Sequence, residues 1–258
     1  MADPKRERAL VLLSGGFDSA VATLWALREF DRVDTIVIDS GENAVELEFR
    51  ALLLRGLREQ FPHLVSGLGD DFVLPLPGLL EITKLPVAPA VRRREWSRDL
   101  TSTAVYGRNL IFLTLAASVA ARQQISDLVI GTYGLQSSWK ADHPASYRAC
   151  ERALTEALEA DFKIHAPLAN IGTTKETRKI PAWEMVLEAG GEELVGFFRD
   201  TTFGCWRADG KTKAEWGFGC GKCTNCRLRA AAYHAIRERM APANSGSDAQ
   251  DRGAIDGR

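Results

Sequence analysis

Two groups of residues in this sequence have the types and spacing to do chemistry. The first is Ser14-Gly15-Gly16-Phe17-Asp18-Ser19, directly after the apolar run Ala9-Leu10-Val11-Leu12-Leu13. Paired glycines let the backbone turn sharply and bring several N–H groups toward one point. A helix starting there adds its positive dipole end. Ser14 and Ser19 add hydroxyl donors, and Asp18 adds a carboxylate able to hold hydrated Mg²⁺. Together they make an anion cradle suited to a pyrophosphate, rather than an ordinary strand-to-helix turn. It is not a Walker A loop, because no Gly-Lys-Ser/Thr follows.

The second group is Cys205, Cys220, Cys223 and Cys226. Four thiolates at this spacing can close a tetrahedral Zn–S₄ site, with Gly217, Gly219 and Gly221 letting the chain wrap the ion. Such a site keeps no open position, so the zinc would be structural, and its removal should unfold the segment it holds. Three cysteines at two-residue intervals also suit iron–sulfur ligation, and buried free thiols are the remaining reading. The fifth cysteine, Cys150, sits at apolar helical spacing and reads as a small core residue.

Elements that alternate between buried strands and helices must position these groups. After the cradle, Ala20 to Leu27 reads as helix and Val33 to Asp39 as a second strand ending at a polar loop. Asn43 to Gln60 has helical spacing, Asp71 to Leu76 is a third strand, Leu110 to Arg122 a helix and Asp127 to Thr132 a strand. Arg148 to Glu159 and Phe162 to His165 continue the rhythm. A helix from Pro181 should close at Gly190-Gly191. This order predicts an α/β fold: a Rossmann-like, doubly wound parallel sheet with a C-terminal four-cysteine zinc module. Residues 8–200 would form the nucleotide-binding domain, 201–240 the zinc module with its helix, and 241–258 a disordered tail. In such a sheet ligands gather at the carboxyl ends of the strands. The cradle, Asp39, the Tyr133 loop and the loop after His165 should therefore share one edge. Pro77 to Tyr106, with Arg92-Arg93-Arg94, interrupts the pattern as a long loop.

Composition bounds the function. The chain has 258 residues and a formal net charge of −1, so no global attraction to nucleic acid or anionic membrane is indicated. No apolar stretch reaches membrane-spanning length and the start carries no signal-peptide run, which points to the cytoplasm. There a cysteine cluster indicates metal rather than disulfides.

The cradle resembles that of the PP-loop ATP pyrophosphatases (adenine nucleotide alpha-hydrolase type), which adenylate a substrate and release pyrophosphate. Gly107-Arg108-Asn109, His165-Ala166-Pro167-Leu168, Lys175-Glu176 and Cys223-Thr224-Asn225-Cys226-Arg227-Leu228-Arg229 follow in the order of the QueC-like 7-cyano-7-deazaguanine synthases. The resemblance covers about residues 8 to 240. It implies an ATP-dependent carbon–nitrogen ligase, with ATP as co-substrate, Mg²⁺ and structural Zn²⁺. Its substrate would be a small-molecule carboxylate, 7-carboxy-7-deazaguanine or a close analogue, taken with ammonia to an amide and a nitrile. Asp18, Lys175 and Arg108 would be catalytic. Ser14, Gly15, Gly16, Asp18, Ser19, Asp39, Arg108, Asn109, Gly131 and Lys175 would bind nucleotide, though Asn109 alternatively caps its helix. A homodimer is implied.

Two stretches depart from the family pattern. Asp39-Ser40-Gly41-Glu42-Asn43 stands where Tyr-x-Gln-Arg-His is usual. The loop Gln136 to Arg148 keeps only Pro144 and Arg148 of its usual motif, while gaining Trp139, Asp142 and His143. Trp139 could stack on a heterocycle, and Asp142 or His143 could move a proton. The ATP half thus matches while the substrate half is rewritten. This leaves open a paralogue that gives its activated acyl group to a protein amine; QueC-like proteins are found in some bacterial antiviral operons. A third reading is a zinc-based nucleic-acid module using Lys211, Lys213, Lys222, Arg227 and Arg229, against which the balanced charge argues.

Overall fold

The computed structural model describes residues 6–41, 44–85, 105, 107–133, 143–170 and 179–240. Trp139, Asp142, Lys175, the Arg92–Arg94 run and the 241–258 tail lie outside these residues.

Five strands, β1 (Arg6–Leu12), β2 (Phe30–Asp39), β3 (Leu68–Pro75), β4 (Asp127–Ile130) and β5 (Lys163–His165), form one sheet in the order β3-β2-β1-β4-β5. Every pairing is parallel. Parallel strands need crossovers that cover both faces, which is why β1 is apolar without interruption from Ala9 onward. Ala9, Val11 and Leu13 join one core cluster and Leu10 and Leu12 the other. The first cluster is filled by α1 (Phe17–Glu29), α2 (Ala44–Gln60) and the two late helices that begin at Ile180 and Thr224. The second is filled by α4 (Arg108–Arg122) and α5 (Pro144–Leu158). A short α3 (Glu81–Lys84) follows β3. Cys150 on α5 is half-buried against the second cluster, and burial pushes its thiol pKa up.

The parallel α/β architecture agrees with the sequence reading. The helix end expected at Gly190-Gly191 agrees as well: both glycines have non-helical backbone, at φ −156°, ψ 22° and φ +66°, ψ −162°, and they break α6 (Ile180–Thr201) at a kink. The helix resumes because Leu194, Val195, Phe197 and Phe198 repeat at helical spacing and all are buried. The resumed half carries the chain to the cysteine segment. That segment contains the two-residue strands β6 (Lys213–Ala214) and β7 (Gly217–Phe218) and then α7 (Thr224–Met240).

Chain connections leave β1 toward β2 on one side and return to β4 on the other. The crevice between the carboxyl ends of β1 and β4 is therefore the topological switch point. The cradle follows β1 and Gly131 follows β4. His165 ends β5, and its ring turns back along the sheet, sharing a 2.6 Å hydrogen bond with Asp127, the first residue of β4, and packing on Trp25 and Phe30.

Candidate functional site

The cradle is built as a closed hydrogen-bonded loop. The Ser14 amide donates to Ser19 Oγ at 3.2 Å, Gly16 N–H donates to Ser14 Oγ at 3.2 Å, and Ser19 Oγ donates to the Gly16 carbonyl at 2.9 Å. Helix α1 starts immediately after Gly16. Gly15 has φ +99°, and a Cβ there would collide with the Glu46 carbonyl and the Arg50 backbone of α2. Both conformation and space therefore demand glycine. Gly15→Ala should cost about 2–3 kcal/mol in urea denaturation. Unaltered stability would show that α2 can yield. Gly131 has a parallel reason: a Cβ there would strike the Asp18 carbonyl, so it allows β4 to approach the start of α1.

Arg50 fixes the strand end that feeds the cradle. Its Nε donates to the Leu13 carbonyl at 2.8 Å, while its guanidinium clamps Asp71, which also accepts from Thr35 at 2.6 Å. The residue before Ser14 is thus held by a charge-assisted pair spanning three elements.

Asp18 faces the crevice. Lys179 Nζ donates to both its carboxylate oxygens, at 2.6 and 2.9 Å, and Tyr133 Oη donates at 3.2 Å. The Lys179 side chain is 2% exposed and Asp18 28% exposed, so the ammonium is the deeper partner. Lys179 also lies 5.1 Å from the Tyr133 ring centroid and 5.8 Å from that of Phe17. Around this pair a cavity of ≈130 Å³ is lined by Ser14, Asp18, Ser19, Glu46, Lys179 and Arg229, with Gly131 and Asn225 at its wall. Two acids and two bases meet there. Full burial lowers the Arg229 pKa to about 10, with Asp18 the leading charge that opposes the shift. At neutral pH the guanidinium remains cationic.

Sequence reading found Ser14, Gly16, Asp18, Ser19 and Gly131, and the structure brings them together in this cavity. Asp39 ends β2 and accepts from Gly41 N–H at 3.0 Å, apart from the cavity lining. Arg108 opens α4 with its guanidinium 5.9 Å from the Phe112 ring, and Asn109 follows it. Asn109 is not the cap: Gly107 occupies that position, in the left-handed conformation. His143 occupies the corresponding position ahead of α5. Lys175 lies outside the described residues, and the lysine that meets Asp18 is Lys179. Glu46, Lys179, Phe203, Gly204, Asn225 and Arg229 also line the cavity, and sequence reading did not place them there.

The cysteines form the neighbouring site. The sulfurs of Cys205, Cys220, Cys223 and Cys226 all lie within 4.8 Å of one another, and Cys220 and Cys226 are 4.0 Å apart. Four thiolates about 2.3 Å from one ion stand nearly that far apart, whereas a disulfide needs about 2.05 Å. Backbone amides of Lys222 and Cys223 donate to Cys220 Sγ at 3.4 Å, and that of Cys226 donates to Cys223 Sγ at 3.5 Å. Burial raises the Cys220 pKa, but these amide donors outweigh it and hold the thiol at about 6. The donor set fits a four-thiolate metal.

The nucleic-acid reading loses a contact here. Arg229 is 3% exposed, and its guanidinium donates to the carbonyls of Thr202 at 2.8 Å and Arg199 at 3.0 Å. Lys213 pairs with Asp200 at 3.1 Å.

The sequence model of the family described as "Queuosine biosynthesis protein QueC" matches residues 8–237. The chain belongs to the QueC family. Among curated relatives, a 7-cyano-7-deazaguanine synthase from Bradyrhizobium is 36% identical over 236 residues, covering 91% of this chain and 96% of the relative. One from Rhodopseudomonas palustris is 37% identical over 227 residues, covering 87% and 93%. Among solved structures, a 4-thiouridine synthetase–RNA complex with bound ATP aligns over 91% of this QueC-family chain and 53% of its own, at 19% identity and a TM-score of 0.45. No helix among the described residues is long and apolar enough to cross a membrane.

Proposed function

We propose that this QueC-family protein is an ATP-dependent ligase that adenylates 7-carboxy-7-deazaguanine or a close analogue and converts it with ammonia to the amide and nitrile. The observation that carries this reading is the Asp18–Lys179 pair set inside the serine–glycine cradle at the sheet's switch point. A carboxylate is a poor electrophile until one oxygen becomes part of a good leaving group, and AMP is such a group. Adenylation makes the carboxylate–phosphate bond and releases pyrophosphate. Ammonia then forms the C–N bond and expels AMP, and a second adenylation lets the amide lose its oxygen to give the nitrile.

Charge in the cavity supports a nucleotide that arrives with its own cation. Asp18 and Glu46 cancel Lys179 and Arg229, so a triphosphate would add uncompensated negative charge beside two carboxylates. A divalent cation removes that conflict. In this reading Asp18, with Glu46, places Mg²⁺. Ser14, Gly15, Gly16 and Ser19 hold the β- and γ-phosphates, and Lys179 takes the phosphate-binding role assigned by sequence to Lys175. Asp39, Arg108 and Asn109 serve the nucleoside side, and Gly131 permits its close approach. Residues 8–200 form the nucleotide domain and 201–240 the zinc module. A cytoplasmic homodimer completes the proposal.

The test is incubation of purified protein with ATP, Mg²⁺, 7-carboxy-7-deazaguanine and ammonia, with products read by mass spectrometry. Nitrile with AMP is the expected result. AMP with no nitrile, but with added mass on a co-encoded protein, would favour transfer to a protein amine. Asp39-Ser40-Gly41, departing from the family pattern in the substrate half, is the observation that keeps this second reading open. No AMP with any carboxylate would overturn adenylation.

A further inference from the structure

Residues 202–205 connect the kinked helix α6 to the first cysteine, and this stretch is tied down on both sides. Toward the cradle, Phe17 N–H donates to the Phe203 carbonyl and Phe203 N–H donates to the Gly15 carbonyl, both at 3.0 Å. Phe203 thus pairs with the cradle as an added strand residue bridged to Gly16. Of the helix-start amides that the sequence pictured converging on an anion, that of Phe17 is directed at this strap instead. Toward the cysteine module, Arg229 donates to the Thr202 carbonyl and hydroxyl at 2.8 and 3.0 Å, and Asn225 Nδ2 donates to the Gly204 carbonyl. Cys205 ends the strap as one of the four thiolates.

Both tying residues sit on the first turns of α7, beside metal ligands. Asn225 lies between Cys223 and Cys226, and Arg229 is one helical turn beyond Cys226. The same two residues line the cradle cavity. Arg229 is fully buried, has its guanidinium 5.7 Å from the Phe17 ring, and its Nε has no protein partner among the described residues. A side chain so costly to bury is retained where its geometry is needed.

We propose that Asn225 and Arg229 are positioning residues that transmit the metal-fixed geometry of α7 through the 202–205 strap to the phosphate cradle. The four-thiolate site fixes the start of α7. Asn225 and Arg229 fix the strap carbonyls, and Phe203 fixes the backbone of Gly15 and Phe17. The metal therefore serves nucleotide binding without touching nucleotide. This rests on the nucleotide reading of the cradle.

The experiment uses the zinc-loaded full chain as wild type, Asn225→Ala and Arg229→Lys. Three quantities are measured: zinc per chain, affinity for a non-hydrolysable Mg–ATP analogue, and backbone hydrogen exchange by mass spectrometry. Asn225→Ala removes one strap contact and no metal ligand. Zinc should stay at about one per chain. Analogue affinity should fall about 10-fold, the worth of one well-placed buried hydrogen bond. Exchange should accelerate in peptides covering 14–19 and 202–205 and hold steady in 33–38 of β2. Arg229→Lys, which cannot span the Thr202 and Arg199 carbonyls together, should do the same more strongly and carries the test if Asn225→Ala does not fold. Faster exchange in 202–205 with 14–19 unchanged would overturn the coupling, and so would uniform acceleration across the chain. Failure of the wild type to bind the analogue would instead overturn the nucleotide reading itself.

Discussion

Asp18→Asn is expected to lower the rate of pyrophosphate release by about 10³-fold, the scale on which loss of a charge-placing group is felt in a preorganised site. Bound zinc should stay unchanged, because the cysteine ligands lie on other elements. The variant should also be less stable by about 3 kcal/mol, for a reason visible in the burial of the pair. Lys179 is 2% exposed and Asp18 28% exposed. Asparagine keeps a carbonyl oxygen for the ammonium but removes the negative charge that compensates it in the interior. Removing the ammonium by Lys179→Met leaves a carboxylate that water can reach, so that variant should keep nearly full stability. The kinetic signatures should differ in the same asymmetric way. Asp18→Asn makes the cavity more positive, which keeps the ATP KM near its starting value while kcat collapses. Lys179→Met makes it more negative and should raise the ATP KM. Steady-state kinetics and thermal melts on the two variants decide it. A kcat within tenfold of wild type for Asp18→Asn would remove Asp18 from the adenylation step.

Lys179 escaped the sequence reading because nothing in local spacing marks it as buried. Tertiary placement does that: Lys179 stands just before α6, where the helix start passes over Phe17 and Tyr133. The cradle was legible because its signal is local. An apolar strand, a forced positive φ at Gly15 and a helix start lie within a dozen residues. The sheet was legible because a strand buried on both faces is apolar throughout. The cysteines were legible from spacing alone. The strap was not, since Phe203 acts through its backbone N–H and carbonyl, which every residue type except proline possesses. Arg229 looked like a surface cation until its partners turned out to be main-chain carbonyls at the end of α6. The break in α6 was legible from Gly190-Gly191, and the helical stretch beyond it is marked by the spacing of Leu194, Val195, Phe197 and Phe198.

With zinc on the four cysteines as proposed, a chelator under reducing conditions is expected to unfold more than the cysteine segment. Three of the thiolate residues, Cys205, Cys223 and Cys226, are part of the same buried cluster that covers one face of the sheet. So are Ala232, Tyr233 and Ile236 of α7, each no more than 2% exposed, and Tyr233 meets Trp183 of α6 edge-on at 5.5 Å. Withdrawing Tyr233 and Ile236 from that contact forfeits about 4 kcal/mol of apolar burial. Separating four cysteines from a shared ion removes the constraint that starts the helix. Set against a total stability of about 5–15 kcal/mol for a folded domain, that loss is too large to stay local. Chelation should therefore lower the melting temperature of the whole chain by about 10 °C or more in a single transition. Cys223→Ser should reproduce much of the effect without chelator. Two separate transitions, with the sheet melting at its original temperature, would show instead that residues 8–200 stand without the module. The first outcome ties metal content to ATP use through stability as well as geometry. The two routes separate in zinc-loaded Asn225→Ala, where metal stays bound and only the strap is loosened.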